Sequence, residues 1–224
     1  MSPYEILTSR GVTRLCHFTK LQSFTHIITT QDGILASNSI RQDTKNVLDE
    51  GRYDGELDYI CCSVQYPNSW FLRKAIDRNT DTIFRDFLVL YIDPSILQRA
   101  SVKFCPCNSS LERGRYISDK MEDLESIYNR TVPGFDYLRP SKMLQSCPTN
   151  GQAEILIKGC IPNSFIKGIA VGNEEVGKQV YSILKMFGKL EIPIYLAPDV
   201  LTPNWSKMAR NGTRPIETQF HWND

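Results

Sequence analysis

Apolar positions along the chain fall into two periods, and each period predicts a kind of element. Leu57 to Val64 and Phe84 to Ile92 are short, nearly continuous apolar runs bounded by polar or turn residues, the form of buried strands. Residues 13 to 19, 101 to 104, Ile166 to Val171 and Pro193 to Ala197 give shorter strand candidates. From Gln152 onward the residues alternate. Gln152, Glu154 and Leu156 face one side of a strand, and Ala153, Ile155 and Ile157 face the other. Helical spacing joins Leu21, Phe24, Ile27 and Ile28, and again Val176, Val180, Ile183, Leu184 and Phe187, which predicts a helix from Glu174 to Phe187. A shorter helix is expected over Trp70–Ile76, and a helix-like patch surrounds Leu124, Ile127 and Tyr128. The sum is an α+β fold: one domain over residues 1–224, with a split or curled central β-sheet and peripheral helices.

The intervals between these segments carry turn chemistry. Gly33 suits the C-terminal cap of the first helix, after which Ile34 to Ser37 restarts as extended chain. Asn150-Gly151 reads as a turn because both residues tolerate positive φ. Asn38 to Glu56 is polar and poorly periodic, a surface loop of the length that compact domains keep for function or leave disordered. Arg210 to Asp224 reads as an irregular tail.

Composition narrows the classes. The 224 residues include 26 Lys and Arg against 25 Asp and Glu, a net charge of +1, so any nucleic-acid contact must come from local patches. No apolar run approaches the roughly 20 residues that cross a bilayer, and Met1-Ser-Pro-Tyr-Glu lacks the layout of a signal peptide. Seven cysteines, with Cys61 and Cys62 adjacent, point to reduced thiols in a cytoplasmic protein.

Several chemistries can be set aside. The cysteine spacings do not match a zinc site, and His17, His26 and His221 have no paired spacing, so no metal is expected. Neither GxGxxG nor the Walker A pattern occurs. Cys16 and His17 cannot act as a nucleophile pair, since neighbours on a strand point to opposite faces. His17 and Thr19 share a face and could address ribose hydroxyls, or His17 could be a structural histidine. Arg52 is either a solvated charge or a bidentate phosphate ligand on a loop. Arg73, Lys74 and Arg78, and Lys207, Arg210 and Arg214, interleave with Tyr66, Trp70, Trp205 and Trp222, which allows base stacking or an ordinary amphipathic surface. Glu154 and Gln152 stand at the lip of a sheet, either facing a cleft or simply facing water.

Taken together, Leu15-Cys-His-Phe-Thr19, Gly33-Ile-Leu35, Arg52-Tyr-Asp-Gly55, Tyr59-Ile-Cys-Cys-Ser-Val-Gln-Tyr-Pro-Asn68, Cys105-Pro-Cys-Asn108, Cys147-Pro-Thr-Asn-Gly-Gln-Ala-Glu-Ile-Leu-Ile157 and Arg214-Pro-Ile-Glu-Thr218 resemble the DarT family of DNA ADP-ribosyltransferase toxins. The resemblance implies an ADP-ribosyltransferase fold that uses NAD as substrate and modifies thymine or guanine in single-stranded DNA. It implies Glu154 as the catalytic glutamate and Arg52 as the loop arginine. His17, Phe18 and Thr19 would hold NAD, Gly33 would line its pocket, and Gln152 would orient the acceptor. It further implies a toxin of phage defence, neutralised by a DarG-like macrodomain antitoxin. Where better-known members carry an arginine before the glutamate, this chain has Thr149-Asn150-Gly151. The residues themselves leave open transfer to RNA or protein, NAD glycohydrolysis, and a non-catalytic nucleic-acid-binding module.

Overall fold

The computed structural model describes residues 1–40, 53–79 and 86–222. Eight strands form the main sheet: β1 (Leu15–Lys20), β3 (Tyr59–Val64), β4 (Phe87–Ile92), β5 (Val102–Cys105), β6 (Glu154–Lys158), β8 (Ile166–Val171), β9 (Ile194–Leu196) and β10 (Thr218–Gln219). Their order is β10-β9-β8-β4-β1-β3-β6-β5, and only the β8–β9 pairing is parallel. A second sheet pairs β2 (Ile34–Leu35) with β7 (Cys160–Ile161). The main sheet is split, as its sequence pattern suggested. β1 pairs with β4 over six residues, Leu15 to Lys20, but with β3 only at Leu15 and Cys16. Beyond Cys16 a seam opens.

Alternation on these strands feeds two cores. Leu88, Leu90, Ile92, Ile155, Ile157, Ile169 and Val171 point to one face, where α1 (Pro3–Ser9), α2 (Leu21–Thr29) and α5 (Glu174–Met186) cover them. Cys16, Val89, Tyr91 and Ala170 point to the other, against Leu72 of α3 (Ser69–Arg78) and Trp205 and Ala209 of α6 (Asn204–Arg210). A short α4 (Met121–Ser126) adds Leu124 to the first core. Each fully buried Leu, Ile or Val contributes about 1.5–3 kcal/mol over its exposed state, so this double-sided burial outweighs any local propensity.

Several elements depart from the sequence expectations. α1 was not visible as an apolar period, yet it starts with a capping box in which Glu5 N–H donates to Ser2 Oγ and Ser2 N–H to the Glu5 carboxylate. Gly33 does not cap α2; the extended Thr30 does. Gly33 instead adopts φ 64° and bridges to Ile161, where a β-carbon would collide with the Ile161 carbonyl and stand 2.6 Å from the Asn163 nitrogen. The Asn150-Gly151 turn exists, but neither residue has positive φ. Gly151 is needed there because a β-carbon would come within 2.7 Å of Trp70 and 2.8 Å of Trp205.

The tail from Arg210 is not wholly irregular, since it returns to the sheet as β10. The residue before β10, Glu217, takes both guanidinium nitrogens of Arg14 at 2.8 and 2.5 Å and the Tyr91 hydroxyl at 2.8 Å. Arg14 also donates from Nε to the Gln65 carbonyl and lies 3.8 Å from the Tyr91 ring centre. Burial alone would lower the Arg14 pKa, but the paired carboxylate carries it above its ordinary value. Side-chain exposures of 16% and 17% make this a shielded pair whose loss leaves an uncompensated cation. Glu217→Ala should therefore cost about 3 kcal/mol of unfolding free energy. Chemical denaturation checks this, and a change below 1 kcal/mol would show that the clamp is solvated.

Candidate active site

Glu154 is the first residue of β6 and is flanked by Ser63 on β3 and Cys105 on β5. In antiparallel pairs, partners share a face, so the carboxylate lies on the side of Ser63, Cys105 and Leu156, away from Ala153, Ile155 and Ile157. That is the alternation read from the sequence. Its side chain is buried, at 5% exposure, and its two oxygens are met by donors from the loop that follows β5. Asn108 Nδ2 donates to Oε1 at 3.2 Å, and Ser109 N–H donates to Oε2 at 3.0 Å. Ser109 Oγ in turn donates to Asp54 at 2.9 Å. Sequence reading did not single out Ser109, and named Asn108 and Asp54 only inside longer matching stretches. Nothing in local composition marks any of them, because the contacts join residues 45 to 55 positions apart.

The turn that leads into β6 is braced from several sides. Thr149 is buried, its hydroxyl donating to the Asn129 carbonyl at 2.6 Å. Asn150 Oδ1 accepts from Gln152 N–H at 2.9 Å. Arg139 donates to the carbonyls of Cys147 and Leu144 at 2.7 and 3.0 Å. Between Ser146 and Ile157, only Gln152 escapes burial. It lies in the turn before β6 and not on the strand face that its alternation with Glu154 predicted, and it is only half-buried.

His17 sits where the seam opens. Its Nδ1 lies 3.0 Å from the Cys61 carbonyl. A carbonyl only accepts, so Nδ1 carries the proton and Nε2 is left as an acceptor in the neutral ring. Burial lowers the His17 pKa below its ordinary 6.5, against the opposing effect of the Cys61 bond. Cys61 pairs with Leu156, two residues along β6 from Glu154. Strand geometry then separates the Cys61 and Glu154 backbones by on the order of 8 Å.

Thr19 is buried on the same face as His17, the two opposing Leu88 and Leu90. Phe18 points to the opposite face, packing edge-on against Phe71 at 5.8 Å. By alternation it shares the side of Cys16, Ser63 and Glu154. The three β1 residues thus divide between the faces that meet at the seam. Gly33 acts through its backbone on the small sheet. Arg52 lies outside the described residues, as do residues 41–51 of the polar loop.

The aromatic-and-basic reading needs correction. Tyr66 and Trp205 are core residues at 2% and 0% exposure, and Trp70 packs on Trp205 at 6.0 Å, so they are not an open stacking platform. Arg73 pairs with Asp77 at 3.9 Å. Trp222 lies under Lys178 beside α5. All seven cysteines are free, and among the described residues no group of three His, Cys, Asp or Glu side chains could hold a metal. Among the same residues, no helix is long and apolar enough to cross a membrane.

Residues 16–202 match the family model described as "DarT: ssDNA thymidine ADP-ribosyltransferase, DarT". Among solved structures, Thermus sp. 2.9 DarT in complex with ADP-ribosylated ssDNA superposes with a TM-score of 0.55 at 20% identity, covering 80% of this chain and 90% of that one. The same Thermus protein in complex with NAD+ gives 0.53 at 20% identity, over 79% and 90% of the two chains. Thermosipho africanus DarTG in complex with ADP-ribose gives 0.57 at 15% identity, covering 84% of this chain and 51% of that one. At these identities the structural likeness carries the fold. No curated protein sequence matches the chain significantly.

Two measurements test the local geometry. A histidine kept neutral in the folded state stabilises it fully above pH 6.5, and that share is lost as pH falls from 6.5 through the lowered folded value. Wild type should therefore lose more thermal stability between pH 7.5 and pH 5 than His17→Gln does; equal losses would refute the buried neutral ring. Gly33→Ala should cost about 2 kcal/mol or more through strain and overpacking. Unchanged stability in urea denaturation would contradict the bridge to Ile161.

Proposed function

The chain belongs to the DarT family of single-stranded-DNA thymidine ADP-ribosyltransferases, and on that premise we propose that Glu154 is the carboxylate that supports transfer of ADP-ribose from NAD to a DNA base. The observation that carries this reading is the placement of Glu154: a buried acid at the start of an interior strand, oriented by Asn108 and Ser109. A carboxylate accepts about four hydrogen bonds, so this support is compatible with a further bond from the ribose 2′-hydroxyl.

The nicotinamide–ribose bond breaks through an oxocarbenium-like state, as in glycoside hydrolysis. Glu154 stabilises the positive charge growing on the sugar. The neutral His17 offers Nε2 to a ribose hydroxyl, Thr19 adds its own hydroxyl, and Phe18 and Gly33 shape the NAD pocket. Arg52 serves the NAD diphosphate or the developing charge. With a pKa above about 12 it is a poor proton acceptor. Gln152 orients the acceptor base, thymine by the family's description. The whole chain works as one domain and acts as a toxin in the cytoplasm, with a DarG-like macrodomain antitoxin as its partner. The likeness to Thermosipho DarTG supports that partner.

Glu154→Ala should lower base modification by about 10²–10³-fold or more while the protein stays folded. Mass spectrometry of nucleosides, after incubation of single-base oligonucleotides with NAD, checks both the loss and the base. Full activity in a folded Glu154→Ala sample would end the assignment, and label on guanine alone would replace thymine as acceptor. Nicotinamide release with no labelled DNA would point instead to NAD hydrolysis.

A further inference from the structure

We infer that Ser109 and Asp54 are positioning residues for this transfer, fastening the end of the polar loop to the loop that orients Glu154. The inference rests on Glu154 being the carboxylate at the reacting sugar.

Ser109 spends its two donors in opposite directions. Its backbone N–H goes to Glu154 Oε2 at 3.0 Å, and its hydroxyl goes to Asp54 Oδ2 at 2.9 Å. The other Asp54 oxygen accepts the Glu56 N–H at 3.1 Å, closing an Asx turn. Glu56 then pairs with Lys103 of β5 at 2.5 Å, two residues before the strand partner of Glu154. The segment from Asp54 to Glu56 is therefore tied twice to the strand and loop that deliver Asn108 and Ser109.

Both ends of the central bond are buried, Ser109 at 3% and Asp54 at 9% exposure. A hydrogen bond to a carboxylate gains strength where water is excluded. Its effect on Glu154 is indirect. The Asp54 contact fixes the Ser109 side chain, and with it the peptide plane whose N–H meets Oε2. Without Asp54, that N–H is free to tilt, and a small misplacement of a reacting group costs far more in rate than in binding. Asn108 Oδ1 accepts the Ser110 N–H at 3.1 Å and steadies the same turn from the other side.

The test compares Ser109→Ala, Asp54→Ala, Asp54→Asn and the double alanine variant, each followed by NAD-dependent DNA modification, nicotinamide release and thermal denaturation. Ser109→Ala and Asp54→Ala should each lower kcat by about 10²-fold with the KM for NAD little changed. Asp54→Asn should recover most activity, since its amide oxygen still serves Glu56 and its NH2 can meet Ser109 Oγ. The double variant should be no slower than Asp54→Ala alone, because Ser109→Ala removes only the contact that Asp54→Ala has already broken. Unchanged kcat in folded single variants, a rise in KM alone, or fully additive losses would each overturn the inference. Glu154→Ala in the same assay separates the two failures. Full activity there removes the Glu154 assignment, whereas inactivity there beside active Ser109 and Asp54 variants removes only the positioning role.

Discussion

A carboxylate withdrawn from water has to be met by donors, and Glu154 imposes that requirement on its surroundings. An ionised acid left unpaired in an apolar interior costs many kcal/mol. The donors here come from the residues just past β5, so the pairing of β5 with β6 does two jobs. It flanks Glu154 with Cys105, and it delivers Asn108 and Ser109 to the carboxylate three and four residues later. A slip of one residue in that register would turn Glu154 toward the apolar core and carry Ile155 and Ile157 out of it. Correct strand pairing and a satisfied acid are therefore the same condition.

The seam between β1 and β3 is the second consequence. A continuous ladder beyond Cys16 would leave no opening inside a sheet covered on both faces. Instead β1 stays with β4, and the imidazole of His17 bonds the Cys61 carbonyl where the β1–β3 ladder stops. The carbonyl is satisfied, the ring is fixed in one tautomer, and the sheet can part without an unpaired group at that point. The break and the histidine belong to one design.

Legibility in the sequence followed the reach of each interaction. Alternation around Glu154 and helical spacing over α5 are local, and both read correctly; α5 ends at Met186, one residue before the expected Phe187. α1 has too short an apolar face to register as a period, although Ser2 and Glu5 carry a capping signature. β10 has only two residues, both exposed, and is held by Glu217 reaching Arg14, 203 positions away. The Asn150-Gly151 turn was found for the wrong reason, since two tryptophans rather than backbone dihedrals demand the glycine. Aromatic residues near basic ones left open a base-stacking or an ordinary amphipathic surface, because period and composition cannot tell an outward Tyr66 or Trp205 from one packed in a core. The support of Glu154 by Asn108, Ser109 and Asp54 is long-range throughout, and no local pattern could announce it.

Burial also constrains how the acceptor is met. The Thr149 hydroxyl is engaged by a backbone carbonyl, the Asn150 side chain braces the turn, and Gly151 is covered by Trp70 and Trp205. All three are taken up by the fold, and none supplies an arginine before Glu154. Arg139, which comes nearest in sequence, is tied to the carbonyls of Leu144 and Cys147 and shapes the turn from behind. Gln152 is the one residue of this turn that is not buried, and its amide offers both a donor and an acceptor. With a net charge of only +1, the protein lacks a strong global field to hold a DNA strand. On the function proposed above, discrimination among bases would fall on the short-range hydrogen bonds of the Gln152 amide, where one unmatched polar contact outweighs any diffuse attraction to phosphate.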